Sequence, residues 1–367
     1  MHPDADQHPL QNSGASSARC DCHALKHPTG VQPTGLAVHA HGEHLRRRLR
    51  LALVAHDLNA AEQYGDLIVP RSAFDRLEVL LAAFSGTERL ELMAAPWDGA
   101  RLDPWQLAPL EQWARRLQSD WFPAAAEQLV FHLQPVVQLQ GGQVYGYEAL
   151  VRANWQGELL GAGTLLQAAT AHNQTRAFDA LARRGAIRQA YPQLEPDQQL
   201  FINFAPGVIY NPDICLTSTF DTCREVGADF SRLVFEVTES EAFPDLRLLR
   251  RILERYRAEG AQVALDDLGA GHTSLSYLAE LQPDLVKLDR ALIHGLHGAD
   301  HRVPLVTALI RYAHDLGIRV VAEGIETGNE LQLVRELGAD YGQGYFLGRP
   351  EAQTRQVLAQ AAGYLVS

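Results

Sequence analysis

Eight polar residues recur along the second two thirds of the chain, each near the end of an apolar run. Glu148 lies within Val144–Val151, and Asn203 near the end of Leu200–Phe204. Glu236 lies in Leu233–Val237, Asp266 ends Gln262–Asp266, and Asp267 follows it directly. Lys287 lies in Leu285–Leu288, Glu323 ends Arg319–Glu323, and Gln343 sits in Tyr341–Tyr345. Five carboxylates converging on one surface repel each other unless cations lie between them. Oxygen-rich sets of this kind suit Mg²⁺ or Mn²⁺, and two ions need a bridging carboxylate. Asp266-Asp267 is the natural bridge, provided both side chains turn inward. Lys287 supplies a point charge suited to a phosphate or an attacking water. Two hard cations activate water for in-line attack on a phosphodiester. An isolated acid at a strand end is ordinarily just solvated, and Asp-Asp-Leu-Gly-Ala-Gly alone also reads as a turn. The recurrence at strand after strand is what favours a site.

Those residues need a scaffold that gathers strand ends. Val130–Leu139 and Val144–Val151, joined through Gly141-Gly142, read as an antiparallel hairpin. Strand and helix patterns then alternate, with helices at Leu246–Glu259, Leu305–Leu316 and Glu330–Leu337. Thr327-Gly328-Asn329-Glu330 fits a capping box opening the last of them. The pattern predicts an α/β fold, a modified (β/α)8 barrel of the TIM type with an antiparallel first strand, whose chemistry gathers at the strands' C-terminal ends. No Gly-x-Gly-x-x-Gly turn follows a strand, which counts against a dinucleotide-binding fold.

The earlier part differs. Residues 1–44 read as a flexible tail, with a Cys20, Cys22, His23, His27 cluster whose spacing matches no strong zinc pattern; His39, His41 and His44 read as solvated. Residues 45–122 read as a small, mainly helical regulatory module. In it Ser72 could cap a helix through Leu77 and Phe84, and Asp103 before Pro104 could start another. Arg46, Arg47, Arg48 and Arg50 read as a solvated helix end. Trp97, Trp105, Trp113 and Trp121 read as packing of that module on itself or on the barrel.

The 367 residues carry a formal charge of −12, which argues against bulk binding to nucleic acid. Four cysteines are too few for a disulfide scaffold, and Cys215 and Cys223 read as packing residues. No apolar run reaches the roughly 20 residues of a membrane span. A reducing cytoplasm is the expected location.

Taken in order, the motifs resemble the EAL-domain cyclic di-GMP phosphodiesterases. They are Gln134-Pro135-Val136-Val137, Glu148-Ala149-Leu150-Val151-Arg152, Asn203, Glu236-Val237-Thr238-Glu239 and Asp266-Asp267-Leu268-Gly269-Ala270-Gly271. Lys287-Leu288-Asp289, Ala322-Glu323-Gly324-Ile325-Glu326 and the Gln343–Pro350 run complete the set. The resemblance covers residues 128–362. It implies hydrolysis of cyclic di-GMP to the linear dinucleotide with two Mg²⁺ or Mn²⁺ ions, in a homodimer. By matching position it implies that Glu148, Asn203, Glu236 and Asp266 hold one metal, and that Asp266, Asp267 and Glu323 hold the other. Lys287 would position the water or phosphate and Gln343 would support the water. Gln134 and Arg152 would contact the dinucleotide, and Glu239 would anchor the loop after Asp266-Asp267. Leu268 stands where the family usually has Phe, and His272-Thr273 where it often has Tyr-Ser; both bear on dimer coupling, not on the ligands. A receptor or interaction module without turnover is the alternative. Such members typically lack a ligand, and here none is missing.

Overall fold

The computed structural model describes Leu25 and residues 33–365, except 59, 64, 101, 238–244 and 270–274. The Cys20, Cys22, His23 and His27 cluster, Glu239, and His272-Thr273 lie outside the described residues.

The N-terminal part holds a sheet as well as the helices that its sequence predicts. Strands β1 (Gly35–Ala40), β2 (Ala61–Gln63), β3 (Asp66–Pro70), β4 (Leu92–Trp97) and β5 (Ala108–Pro109) form an antiparallel sheet in the order β2-β3-β1-β4-β5. Helices Glu43–Ala55, Leu77–Leu81 and Leu110–Gln118 contribute to one core with the sheet, through Leu45, Leu49, Leu77, Leu80 and Trp113 against Leu36, Val38, Val69 and Leu92. The strand β1, within the stretch read as a tail, is the centre of this sheet. Short strands such as Leu-Met-Ala-Ala-Pro-Trp carry too few residues for a clear period, so pairing partners distant in sequence decide their state. Ser72 falls in a 3-10 turn, and Ser85 caps the helix Gly86–Glu91 with Glu88 in a capping box. Asp103 does start a turn at Pro104, a single one of 3-10 type. The arginine cluster is half neutralised: Arg46 and Arg50 share Glu62, and Arg48 pairs with Glu88. Trp97 and Trp113 are buried within this part, Trp121 packs on the barrel, and Trp105 is exposed.

The barrel follows. Its strands are β6 (Leu129–Gln138), β7 (Val144–Trp155), β9 (Gln199–Phe204), β10 (Leu233–Val237), β11 (Gln262–Leu268), β12 (Leu285–Leu288), β13 (Arg319–Ala322) and β14 (Tyr341–Gly342). A short β8 (Glu158–Leu160) pairs only with β7. The order β6-β14-β13-β12-β11-β10-β9-β7 closes through β6–β7. β6 runs antiparallel to both neighbours, and every other wall pairing is parallel. Thr327 caps the helix Gly328–Glu336 in the expected capping box. Cys215 and Cys223 are buried and unpaired, and burial pushes the Cys223 thiol up to about 12.

Side chains inside the barrel form layers. Val136, Phe201, Val234, Ala264, Leu285, Val321 and Tyr341 make an apolar plug. Beneath it Arg319 donates to the Gln262 amide oxygen (2.5 Å) and to the hydroxyls of Tyr145 (2.9 Å) and Tyr341 (3.3 Å), whose rings stack. Strand side chains alternate between faces, so the residues two positions beyond the plug line the open end.

Candidate metal centre at the barrel mouth

Two positions beyond the plug stand Gln134, Asn203, Glu236, Asp266, Lys287, Glu323 and Gln343, with Glu148 completing the ring two positions after Gly146. The apolar layer seals the floor, so the polar ring is largely dehydrated. Glu236 and Lys287 are almost wholly buried, and Glu148, Asp266 and Gln343 nearly so.

The Lys287 Nζ is the hub. It lies 2.6 Å from Glu323, 3.1 Å from Glu236, and 3.4 Å from both Glu148 and Asp266. Glu148 also accepts from Asn203 Nδ2 at 2.7 Å and from Gln343 Nε2 at 2.8 Å. Burial works against ionising Glu148, but Lys287 and the two amide donors outweigh it and hold its carboxyl below the ordinary range. Burial also works against a charged Lys287, and the surrounding carboxylates overcome it, so the ammonium stays protonated. The other acids are held up. Burial raises Glu236 well above its usual value and raises Asp266, with neighbouring carboxylates adding to both. Burial pushes Glu323 to about 8, and Asp267 to about 6 with the help of adjacent Asp266.

Adjacent residues on a regular strand face opposite ways. At Asp266-Asp267 that rule is broken by a register shift against β12 between Leu265 and Leu268, and by a left-handed backbone at Asp267 (φ 57°). The result is that Asp266, Asp267 and Glu323 each place an oxygen within 4.8 Å of the others. Glu236 adds to the donor set that a cation would fit. Apart from the Lys287 ammonium 3.1 Å from one of them, its oxygens meet no hydrogen-bond donor within the described residues, nor does Gln343 Oε1. Buried acceptors short of donors are costly, and a divalent cation there would satisfy them.

The substrate-contact candidates stand beside the ring. Gln134 is paired directly with Glu148 across β6–β7, and its amide donates to the Gly348 carbonyl (3.3 Å). Arg152 lies four residues beyond Glu148 on the same face and is half-buried; burial holds its guanidinium below the ordinary range, against the opposing pull of Glu148 and Tyr345. Two further features, to which the motifs assign no role, also appear here. The Arg349 guanidinium lies 4.1 Å over the exposed Tyr345 ring. Glu330, buried, accepts from the backbone of Gly295, Glu326 and Thr327, which fixes the loop following Glu323. Its capping-box position is visible in sequence; its grip on Gly295 is not.

The model of the family described as "EAL domain" matches residues 114–350. The chain belongs to this family. Among curated relatives, the "Probable cyclic di-GMP phosphodiesterase PdeB" of Escherichia coli (strain K12) is 30% identical over 221 residues, 59% of this chain and 42% of that protein. The chain spans about a third of the length of the curated relatives it matches, at 31%, 29% and 42%. Two solved structures align at similar levels. A standalone EAL protein of Vibrio cholerae O395 in its c-di-GMP bound form is 29% identical, covering 64% of this chain and 98% of that one, with TM-score 0.57. Klebsiella pneumoniae BlrP1, in a calcium and cyclic di-GMP complex, is 30% identical, covering 63% and 58%, with TM-score 0.58. Among the described residues of this EAL protein, no helix is long and apolar enough to cross a membrane.

Proposed function

We propose that this chain hydrolyses cyclic di-GMP to the linear dinucleotide with two divalent cations, Mg²⁺ or Mn²⁺. The observation that carries the reading is the complete polar ring around Lys287. Five carboxylates against one ammonium leave a formal −4 when all are ionised, the charge that two divalent cations cancel. Glu148, Asn203, Glu236 and Asp266 would hold one cation, and Asp266, Asp267 and Glu323 the other. When bound, such a pair acidifies water and neutralises charge developing on a phosphoryl group.

The chain's own residues do the rest. Lys287, fixed among carboxylates, presents a proton donor and a positive charge to the attacking water or to a phosphate oxygen. Gln343 holds Glu148 in place and keeps its amide oxygen for water. Gln134 and Arg152 contact the dinucleotide beside the ring. Glu239 fits the role of a loop anchor by matching position alone. The setting this reading implies is a cytoplasmic homodimer, in which the messenger is removed.

The test is incubation of purified protein with cyclic di-GMP and each of Mg²⁺, Mn²⁺ and Ca²⁺, with products resolved by chromatography. Linear dinucleotide is expected with Mg²⁺ and Mn²⁺ and little with Ca²⁺, which prefers longer and looser coordination. Ligand binding with no product under any ion would replace the enzyme with a receptor.

A further inference from the structure

A second buried charge cluster lies outside the barrel wall. Asp179 and Arg183, both buried, form an i,i+4 pair on the helix Thr175–Ala190. Arg183 Nε (3.0 Å) and Nη2 (2.7 Å) both donate to Asp179 Oδ2, and its Nη1 donates to Thr219 Oγ1 at 2.6 Å. That arrangement leaves Asp179 Oδ1, which accepts the backbone N–H of Ala205 at 2.9 Å.

The position of that last bond matters. The β9–β10 ladder ends at Phe204 and Val237, so Ala205 is the first residue past it. The Asp179 carboxylate takes the first backbone N–H past the described ladder. Ala205 is two residues after Asn203, whose amide is fixed from inside the barrel by Glu148. Tyr256, fully buried, stacks on Phe235 of the next wall strand at 3.9 Å, next to Glu236; burial raises its hydroxyl well above the ordinary range, with Arg183 opposing and Asp179 adding to the shift. Stability alone gives little reason for a buried ion pair here, because well-packed apolar residues ordinarily serve as well or better.

We infer that Asp179 is a positioning residue for the metal centre, acting through the Ala205 amide to hold the end of β9, and with it Asn203, in ligand geometry. This rests on the function proposed above. Arg183 occupies Asp179 Oδ2, and the other oxygen serves Ala205. Partners that orient metal ligands from outside typically matter by 10–100-fold in metal affinity or activity.

Two double variants separate the hydrogen bond from the buried charge. Asp179→Asn with Arg183→Met removes both charges and keeps an amide oxygen for Ala205. Asp179→Ala with Arg183→Met removes both charges and the acceptor. Mn²⁺ binding without substrate is measured by calorimetry on the full chain, alongside thermal melts. The expected result is wild-type affinity within about threefold for the asparagine pair, and affinity roughly 10–100-fold weaker for the folded alanine pair. Equal affinities in the two variants, strong or weak, would overturn the role, because the acceptor would then not be the lever. An alanine pair that fails to fold beside a folded asparagine pair would make Asp179 a stability residue and also overturn it. Wild-type protein that neither binds Mn²⁺ nor hydrolyses cyclic di-GMP would instead overturn the function proposed above.

Discussion

Glu148 is set apart from the other acids of the ring by its neighbours. Three donors, from Lys287, Asn203 and Gln343, converge on it, and it is the one ring acid whose shift is downward. Glu148→Ala leaves those donors without their acceptor and takes one ligand from the centre. Turnover should fall by more than the roughly 10–100-fold typical of outer-shell changes, and Asp266→Ala should behave alike; both should still melt cooperatively, because like charges at the mouth become fewer. Steady-state hydrolysis with parallel melts checks this, and wild-type rates would place the site elsewhere. The raised acids carry a pH signature. Glu323 (about 8) and Asp267 (about 6) bind protons more tightly folded than unfolded. Their contribution to stability is full below the unfolded carboxylate range near 4 and is lost as pH rises through 6 and then 8. Metal-free protein should therefore melt progressively lower from pH 5 to pH 8.5, and saturating Mn²⁺ should reduce that slope. A melting temperature that rises over this window without metal would contradict the assigned charge states.

Strand periodicity makes most of the ring legible in the sequence. Phe201 and Asn203, Val234 and Glu236, and Leu285 and Lys287 each place an apolar residue two positions before a polar one, which predicts a sealed floor and a polar mouth. The inward turn of both Asp266 and Asp267 is not legible there. It depends on a register shift and one left-handed residue, and a pair of aspartates before glycine is equally compatible with a plain turn. The N-terminal sheet escapes sequence reading for a related reason: β1, β3 and β4 are five or six residues long and gain their state from one another. The layers also divide the labour along each strand. Arg319 lies below the plug, with Gln262 and two tyrosines as partners. Arg319→Met should cost about 1–3 kcal/mol of stability through stranded acceptors, yet leave Mn²⁺ affinity unchanged. Denaturant titration and calorimetry on one preparation test both halves, and a large loss of affinity would mean that the floor and mouth are not separate.

At the scale of the whole chain, the N-terminal part touches the barrel close to the elements that bear on the site. Gln112 on the helix Leu110–Gln118 donates to Asn173 at 2.6 Å, and the His172 ring shares a 2.8 Å hydrogen bond with the Ser119 carbonyl. Those two barrel residues lie just ahead of Gln174, which caps the helix that carries Asp179. The boundary between the two parts is set by packing more than by composition. Phe122, Ala125 and Ala126 belong to the barrel's core, although they precede its first strand. Phe122 meets Phe178 edge-on and lies against His172. A chain beginning at Ser119 keeps that plug, whereas one beginning at Glu127 removes it and opens a cavity the size of an aromatic ring, which costs about 3–5 kcal/mol in comparable cores. The longer truncate should fold and retain metal-dependent hydrolysis, since every ring residue follows it in sequence. Its rate should differ from that of the full chain if contacts at His172 and Asn173 bias the barrel toward one arrangement. The shorter truncate should melt lower or fail to fold. Comparing hydrolysis and melting of both truncates with the full chain decides the matter. A well-folded Ser119 truncate that binds cyclic di-GMP but is inactive with Mg²⁺ and with Mn²⁺ would show that the N-terminal part completes the active site and does not merely tune it.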